Sequence, residues 1–292
     1  MSERRTPFVA RLFVASRPLS WINTAYPFAV AVLASGGSID AAWIIGTLFF
    51  LIPYNLLMYG INDVFDYASD LANPRKGGVE GALLPAETHR AVLWWSVLLP
   101  VPFVVALVAL GSPLSWLVLA IVLFFVVAYS APGLRFKERP VLDSLTSAMH
   151  FVGPAAYGLS LTGHPLDVPI TAMLVAFTLW GMASHAFGAV QDIVPDREGG
   201  IASVATVLGA RWTVRGAIIA WVCAGLLVLL VPFPGSLAAL FAIPYVWLAW
   251  PYRNVSDADS WRANGGWRRF LAANYAVGFG VTMLFIWWAL AR

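Results

Sequence analysis

The sequence predicts an all-α membrane protein: nine transmembrane helices in a bundle, organised as two pseudo-repeats of four helices around a central cavity. Three observations lead there. Of the 292 residues, 60% are hydrophobic and 11% charged, with mean hydropathy +0.77, whereas a soluble domain carries about 25% charged residues to wet its surface. About nine apolar stretches approach the roughly 20 residues a helix needs to cross the hydrocarbon core. The connections between them alternate between short and nearly uncharged, and longer and charged. This composition excludes a soluble enzyme, a disordered chain and a secreted disulfide scaffold. Cys223, the single cysteine, lies in an apolar run, so neither a disulfide framework nor a thiolate metal site can be built from it.

The elements follow in order. The N-terminus, MSERRTPFVARLF, is basic, but no small-residue cleavage site closes a short apolar core, and no cleaved leader is expected. The first span, near 17–36, opens at Arg17 in SRPLSWINTAYP and turns back through SGGSID. The second, near 41–65, runs into YGINDVFDYASD. The third and fourth, near 91–111 and 113–131, are separated only by GSP, and the fourth leads into YSAPGLRFKERP. The fifth, near 141–162, passes through TGHPLDV to the sixth, near 170–192, which runs into QDIVPDREGG. The seventh, eighth and ninth lie near 214–232, 235–251 and 268–290, with VPFPGS and WPYRNVSDAD among their connections. The second and sixth spans both close on acidic motifs, and the fourth and eighth also end alike in kind. That recurrence suggests a duplicated four-helix unit, with a site expected at the repeat interface.

The charges choose sides. Of the 18 Lys and Arg residues, all but Arg292 fall in the N-terminus and the even-numbered connections. The positive-inside rule makes that face cytoplasmic, so a multi-pass protein of the cell membrane is expected, with its N-terminus and acidic motifs inside. This orientation accounts for the net charge of +3 and pI of about 9.2. The bases form no groove-tracking stripe, and no nucleic-acid partner is expected. Of the 15 acidic residues, all but Asp40 and Asp167 share the same face. The rule does not require that, and acids concentrated beside bases point to a polar site.

The acids have a pattern. On a helix, Asn62, Asp66 and Asp70 share a face at spacings of four, with Asp63 beside them. Clustered carboxylates repel unless a cation neutralises them, and an oxygen-rich set with one amide suits a hard cation such as Mg²⁺ or Ca²⁺. Asp192 and Asp196 repeat the i, i+4 spacing, followed by Glu198, and Pro195 is expected to kink or end the helix there. A single such motif is equally well read as a solvated helix end; two matched ones favour a metal site. Mg²⁺ favours one or two carboxylates plus phosphate oxygens. Arg17, Arg75, Lys76, Arg135, Lys137 and Arg139 then become candidate cationic donors to a diphosphate, although each alone also serves as an orientation charge.

At these residues the chain resembles the UbiA superfamily of intramembrane prenyltransferases. The first signature, N-D-x-x-D-x-x-x-D, is met by Asn62, Asp63, Asp66 and Asp70, and the second, D-x-x-x-D, by Asp192 and Asp196. Where members often carry a third acid, this chain has Gly200. The Y-S-x-P-x-R-x-K element is met by Tyr129, Ser130, Pro132, Arg135 and Lys137, and the R-P-x-x-W opening by Arg17, Pro18 and Trp21. The loop from Asn73 to Gly81, NPRKGGVEG, is similar to that of lycopene elongases of C50 carotenoid synthesis.

The resemblance covers nearly the whole chain and implies one prenyltransferase domain over 1–292. It implies Mg²⁺-dependent transfer of a prenyl group, dimethylallyl here, from an allylic diphosphate to a lipophilic acceptor drawn from the bilayer, the ends of lycopene. Two Mg²⁺ ions would be held by Asn62, Asp66, Asp70, Asp192 and Asp196. The diphosphate would be bound by Arg17, Arg75, Lys76, Arg135 and Lys137, with Asp63, Asp66, Asp192, Asp196 and Tyr129 as the catalytic set. The resemblance does not address oligomeric state.

His185, two turns before Asp192, together with Asn55 and His150, is expected to be a satisfied polar residue of the bundle. Two rivals are an aromatic prenyltransferase of quinone synthesis, which differs in its acceptor, and a cation-coupled transporter, whose sites usually lie near the midplane rather than at one face. A CDP-alcohol phosphotransferase is disfavoured because no D-G-x-x-A-R element is present.

Overall fold

The computed structural model of the chain describes residues 7–72 and 83–291. Among these residues every regular element is helical. In chain order they are α1 (Phe8–Ala15), α2 (Trp21–Ala34), α3 (Ala41–Leu51), α4 (Pro53–Phe65), α5 (Tyr67–Ala72), α6 (His89–Leu98), α7 (Val101–Leu110) and α8 (Pro113–Ser130). There follow α9 (Leu142–Thr162), α10 (Val168–Ala189), α11 (Ile193–Glu198), α12 (Val204–Val228), α13 (Ala242–Ala249) and α14 (Asn264–Leu290). Helix falls over each apolar stretch read from the sequence. Prolines explain several of the divisions. Pro53 starts α4 and Pro113 starts α8, the first-turn position where a missing N–H costs nothing.

Six helical stretches among the described residues are long and apolar enough to cross a membrane: Ala41–Phe65, Ala86–Leu110, Pro113–Ser130, Val168–Glu198, Val204–Val228 and Ser260–Leu290. The chain is a multi-pass membrane protein. α9 is long as well, at 21 residues, but it carries Asp143, Ser144, Thr146, His150 and Ser160, all buried. It is polar because it faces protein rather than lipid: it packs on α2, α8 and α10. Large apolar side chains such as Trp94, Val105, Leu117, Ile219 and Leu226 are exposed instead, as a lipid-facing surface requires.

Two buried clusters lie in successive parts of the chain. One gathers Phe28, Phe49, Phe50, Tyr54, Val122 and Tyr157, and the other Phe187, Val214, Trp221, Tyr245 and Phe270. A third joins the two ends, with Ala34 and Leu159 packed with Val228 and Trp288. α14 lies against α2, and a cavity of about 1910 Å³ opens among these helices.

Candidate active site

The first acidic motif is placed by the end of a helix. α4 stops at Phe65 and Asp66 is its C-cap, so Asn62 stands one turn earlier, and both line the cavity. The Ser130 hydroxyl donates to Asn62 Oδ1 at 2.8 Å, fixing the amide with its oxygen toward α8. Asp66 is buried and forms an ion pair with Lys137, with the Arg135 guanidinium 3.9 Å away. Asp63 turns elsewhere: its side chain is fully buried and accepts a 2.5 Å hydrogen bond from Arg17 Nη2. In this geometry Asp63 orients Arg17, which does line the cavity. The side chain of Asp70, and all of Arg75, Lys76 and the Asn73–Gly81 loop, lie outside the described residues.

The second motif sits on a broken helix. α10 ends at Ala189, a 3-10 turn spans Val190–Asp192, and α11 begins at Ile193. Pro195 lies in the first turn of α11, and the carbonyl it leaves without a helical partner is that of Gln191, inside the 3-10 turn, as expected of a proline that interrupts the helix there. Asp192 and Asp196 both line the same cavity as Asn62 and Asp66. Glu198 is exposed and Gly200 adopts φ +70°, so no third acid follows them into the cavity.

Two arginines of the site adopt left-handed backbone conformations, Arg17 at φ 51° and Arg135 at φ 40°. Such geometry costs of order 1–3 kcal/mol outside glycine and persists where surroundings over-determine it. The surroundings here are ionic. Arg17 is fixed by Asp63 and lies 4.6 Å from the Tyr59 ring centroid; Arg135 is fixed by Glu138 and faces Asp66. The hydrogen bond from Arg135 holds the Glu138 carboxyl below the usual carboxylate range. Arg139 is exposed and donates to the Gly133 carbonyl at 3.3 Å.

Below this polar mouth the lining changes. Val30, Leu159, Met173, Phe177, Val228 and Phe285 are among the cavity residues, and Trp180, also in the wall, stacks near Phe270 at 6.4 Å between centroids. Tyr129 lies where the two regions meet, one residue before Ser130. Its hydroxyl is 3.3 Å from His185 Nε2, and His185 Nδ1 is 3.2 Å from Ser144 Oγ. Residue spacing could not reveal this contact, because the partners lie 56 and 41 positions apart. Asn55, by contrast, is a bundle polar group: its amide donates to Thr24 Oγ1 at 2.7 Å and to the Phe50 carbonyl at 2.9 Å.

The UbiA prenyltransferase family model matches residues 24–274. The chain belongs to that family. Among UbiA relatives, it is 53% identical over 98% of its length to the C(50) beta-cyclic carotenoids biosynthesis protein LbtBC of Dietzia sp. (strain CQ4), of which it spans 68%. It is 48% identical to the lycopene elongase/hydratase of Corynebacterium glutamicum, over 94% of this chain and 96% of that one. Solved structures share the fold. A UbiA homolog from Archaeoglobus fulgidus bound to DMAPP and Mg²⁺ superposes with TM-score 0.67 over 96% of this chain and 98% of that one, at 20% identity. An apo UbiA homolog from Aeropyrum pernix K1 gives 0.66 over 89% and 96%, at 19% identity. The chain is therefore a prenyltransferase, akin to the lycopene elongases.

The UbiA cavity suits a hard cation by its donor set. Asn62, Asp66, Asp192 and Asp196 bring only oxygen-bearing side chains to its polar mouth, and Mg²⁺ favours oxygen ligands. Among the described residues, no three His, Cys, Asp or Glu side chains converge closely enough to form a metal cage.

Proposed function

We propose that the chain transfers a dimethylallyl group from its diphosphate to the ends of lycopene, as a single functional unit over residues 1–292, with its polar mouth on the cytoplasmic face. One observation carries the reading: both acidic motifs and three cationic side chains line one cavity whose remaining wall is largely apolar and aromatic, with a few polar side chains such as His150 and His185. The 48% identity to a lycopene elongase/hydratase supports the choice of acceptor. Nine spans, built as two four-helix repeats, suit this reading, because the two aromatic cores and the two acidic motifs then correspond.

Asn62, Asp66, Asp70, Asp192 and Asp196 would hold two Mg²⁺ ions, which neutralise charge on the departing diphosphate when bound. The residues divide the remaining work. Lys137 and Arg135, which face Asp66 in the free protein, bind the outer phosphate oxygens when donor arrives, with Arg75 and Lys76 contributing from the adjoining loop. Arg17, held by Asp63, presents a pre-oriented guanidinium; that spares side-chain entropy at binding. These fixed charges act in a region shielded from water, where they stabilise developing negative charge most strongly. Ionisation leaves an allylic cation, and aromatic faces such as those of Tyr129 and Trp180 stabilise it while the apolar wall excludes water. An alkene acceptor needs no phenol-activating base, consistent with the greasy wall.

The test is pigment mass in a lycopene-accumulating host expressing this chain. Gain of one and then two C5 units, with or without added water, is the expected result. Unchanged lycopene, with the protein shown to be inserted, would overturn the acceptor assignment and direct the search to phenolic acceptors with labelled allylic diphosphates.

A further inference from the structure

Adding an allylic cation to an alkene leaves a cation that must still lose a proton. As the carbon–oxygen bond to diphosphate breaks, its electron pair leaves with the phosphate. The acceptor's double-bond electrons form the new carbon–carbon bond, and the positive charge moves to an acceptor carbon. To finish, one proton must depart. Either a neighbouring C–H bond supplies the electrons of a new double bond, or a water molecule adds its oxygen to the cation and sheds a proton. The departing diphosphate can accept that proton, and so can a Brønsted base in the cavity wall beside the prenyl-binding region.

The wall offers one arrangement of that kind. His185 lines the cavity and is partly accessible within it, as is Tyr129. The Tyr129 hydroxyl lies 3.3 Å from His185 Nε2, and Ser144 Oγ lies 3.2 Å from Nδ1. With Nδ1–H donating to Ser144, Nε2 keeps its lone pair for the tyrosine proton. Ser144 is buried and is itself placed by Asp143, which is fully buried and accepts hydrogen bonds from the Ser144 and Val204 backbone N–H groups, both at 2.7 Å. The Asp143 carboxylate interacts electrostatically with His185 and would steady positive charge on the ring. This is the arrangement of an oriented base: a nitrogen facing the tyrosine hydroxyl, a serine hydroxyl on the other nitrogen, and a carboxylate on the residue before that serine.

The depth is suitable too. His185 precedes Asp192 by seven residues, roughly 10 Å along a helix at about 1.5 Å per residue, while Tyr129 adjoins the Ser130 that holds Asn62. The donor's reacting carbon is the one bonded to the diphosphate oxygen, so the acceptor carbon that loses the proton lies a few bonds beyond it, on the interior side where Tyr129 meets His185.

We propose that His185 is the terminal proton acceptor of the reaction, with the Tyr129 hydroxyl relaying: Tyr129 takes the proton released by the acceptor cation, or by the water that captures it, as its own passes to His185 Nε2. Ser144 and Asp143 are positioning residues. The proposal rests on the reading that the acceptor is an alkene.

The experiment measures diphosphate release and elongated carotenoid separately, in wild-type protein and in His185→Gln, with dimethylallyl diphosphate, Mg²⁺ and lycopene in detergent or liposomes. A general base typically contributes 10²–10⁴-fold, so product formation in His185→Gln should fall about 100-fold or more. KM for the donor should hold, and diphosphate release should fall much less, so that the ratio of diphosphate to product rises. Ser144→Ala, which leaves the imidazole in place, should show a smaller rise of the same ratio. If diphosphate release and product decline in parallel in both variants, or product is unchanged in either well-folded variant, the assignment is wrong. Absence of elongated product from the wild-type protein would instead refute the underlying alkene reading.

Discussion

At the scale of single residues, the site is a balance of charges held in place before substrate arrives. Asp66 is shared between Lys137 and Arg135, and Asp63 is committed to Arg17. Three of the five cations that would bind diphosphate, Arg17, Arg135 and Lys137, therefore face carboxylates of the first acidic motif. Removing either kind of charge disturbs both functions. Asp66→Asn and Asp196→Asn should each lower turnover by about 10³-fold or more, since metal-assisted charge stabilisation is worth several kcal/mol. Each protein should still insert and elute as a monodisperse species in detergent. Near-normal turnover in a folded variant would remove that residue from the metal set. The two acidic motifs that line the cavity were legible in the sequence because i, i+4 spacing is a local pattern. The division of labour between Asp63 and Asp66 was not. It depends on a left-handed Arg17 that returns to α4 across 46 positions. The Tyr129–His185–Ser144 contact was equally hidden, because it joins three helices.

At the scale of elements, the construction of the connection after the second acidic motif keeps α11 in place. α12 is interrupted at Gly209, whose φ of +74° and ψ of 164° break the helix and free the N–H of Ala210. Asp257, sixty residues after Arg197, supplies the missing acceptor: its Oδ1 receives the Ala210 N–H at 2.7 Å, while Oδ2 pairs with Arg197 Nη1 at 2.7 Å. Arg197 belongs to α11, next to Asp196, so this carboxylate ties the second motif to the start of the next long helix and to the connection before α14. A side chain at 209 would be excluded twice, by the backbone and by a Cβ placed 2.9 Å from Asp257 Oδ1. The sequence reading began the seventh span at 214, ten residues after α12 starts. The Arg211 and Arg215 charges and the Gly209 break conceal helix in a segment whose amide is capped from afar. The Ala210 N–H, more than Arg197, holds the Asp257 carboxyl below its ordinary 3.8. A depressed carboxyl stabilises the fold above its unfolded value, and that contribution is lost as pH falls through the folded value. Asp257→Ala should therefore lower thermal stability in detergent at pH 7 by about 0.5–2 kcal/mol, the usual worth of a helix cap. The gap in Tm from wild type should close below about pH 4 as the wild-type carboxyl is protonated. A gap that stays constant down to pH 3 would show that the side chain acts through packing and not through its charge.

At the scale of the whole molecule, one continuous cavity has to serve two substrates of opposite character. Its mouth is built from the ends of α4, α8 and α10, and its far reaches from the other ends of α2, α10, α12 and α14, where Ala34, Ile170, Val228 and Phe285 line it. Antiparallel helices make this separation natural, because consecutive spans present opposite ends to the same face. The polar chemistry can then collect at one end while the apolar wall follows the membrane depth. A central cavity was expected from the sequence, but composition could not say which residues would line it. A cavity depends on which small residues meet across helices, and hydropathy does not record that. Gly278 on α14 is one such residue: it lines the cavity, and a Cβ placed on it meets no atom within 4 Å. Gly278→Phe should therefore leave the helix intact, and more stable by up to about 1 kcal/mol from helix propensity alone, while occupying space an acceptor needs. If the apolar reach holds the acceptor, kcat/KM for lycopene should fall about tenfold or more, as one badly placed side chain displaces contacts worth about 1.4 kcal/mol or more. KM for the diphosphate donor, whose proposed site lies at the mouth by Arg17, Arg135 and Lys137, should change little. Equal loss against both substrates would place the acceptor and donor in one compartment, and the division of the cavity by depth would fail.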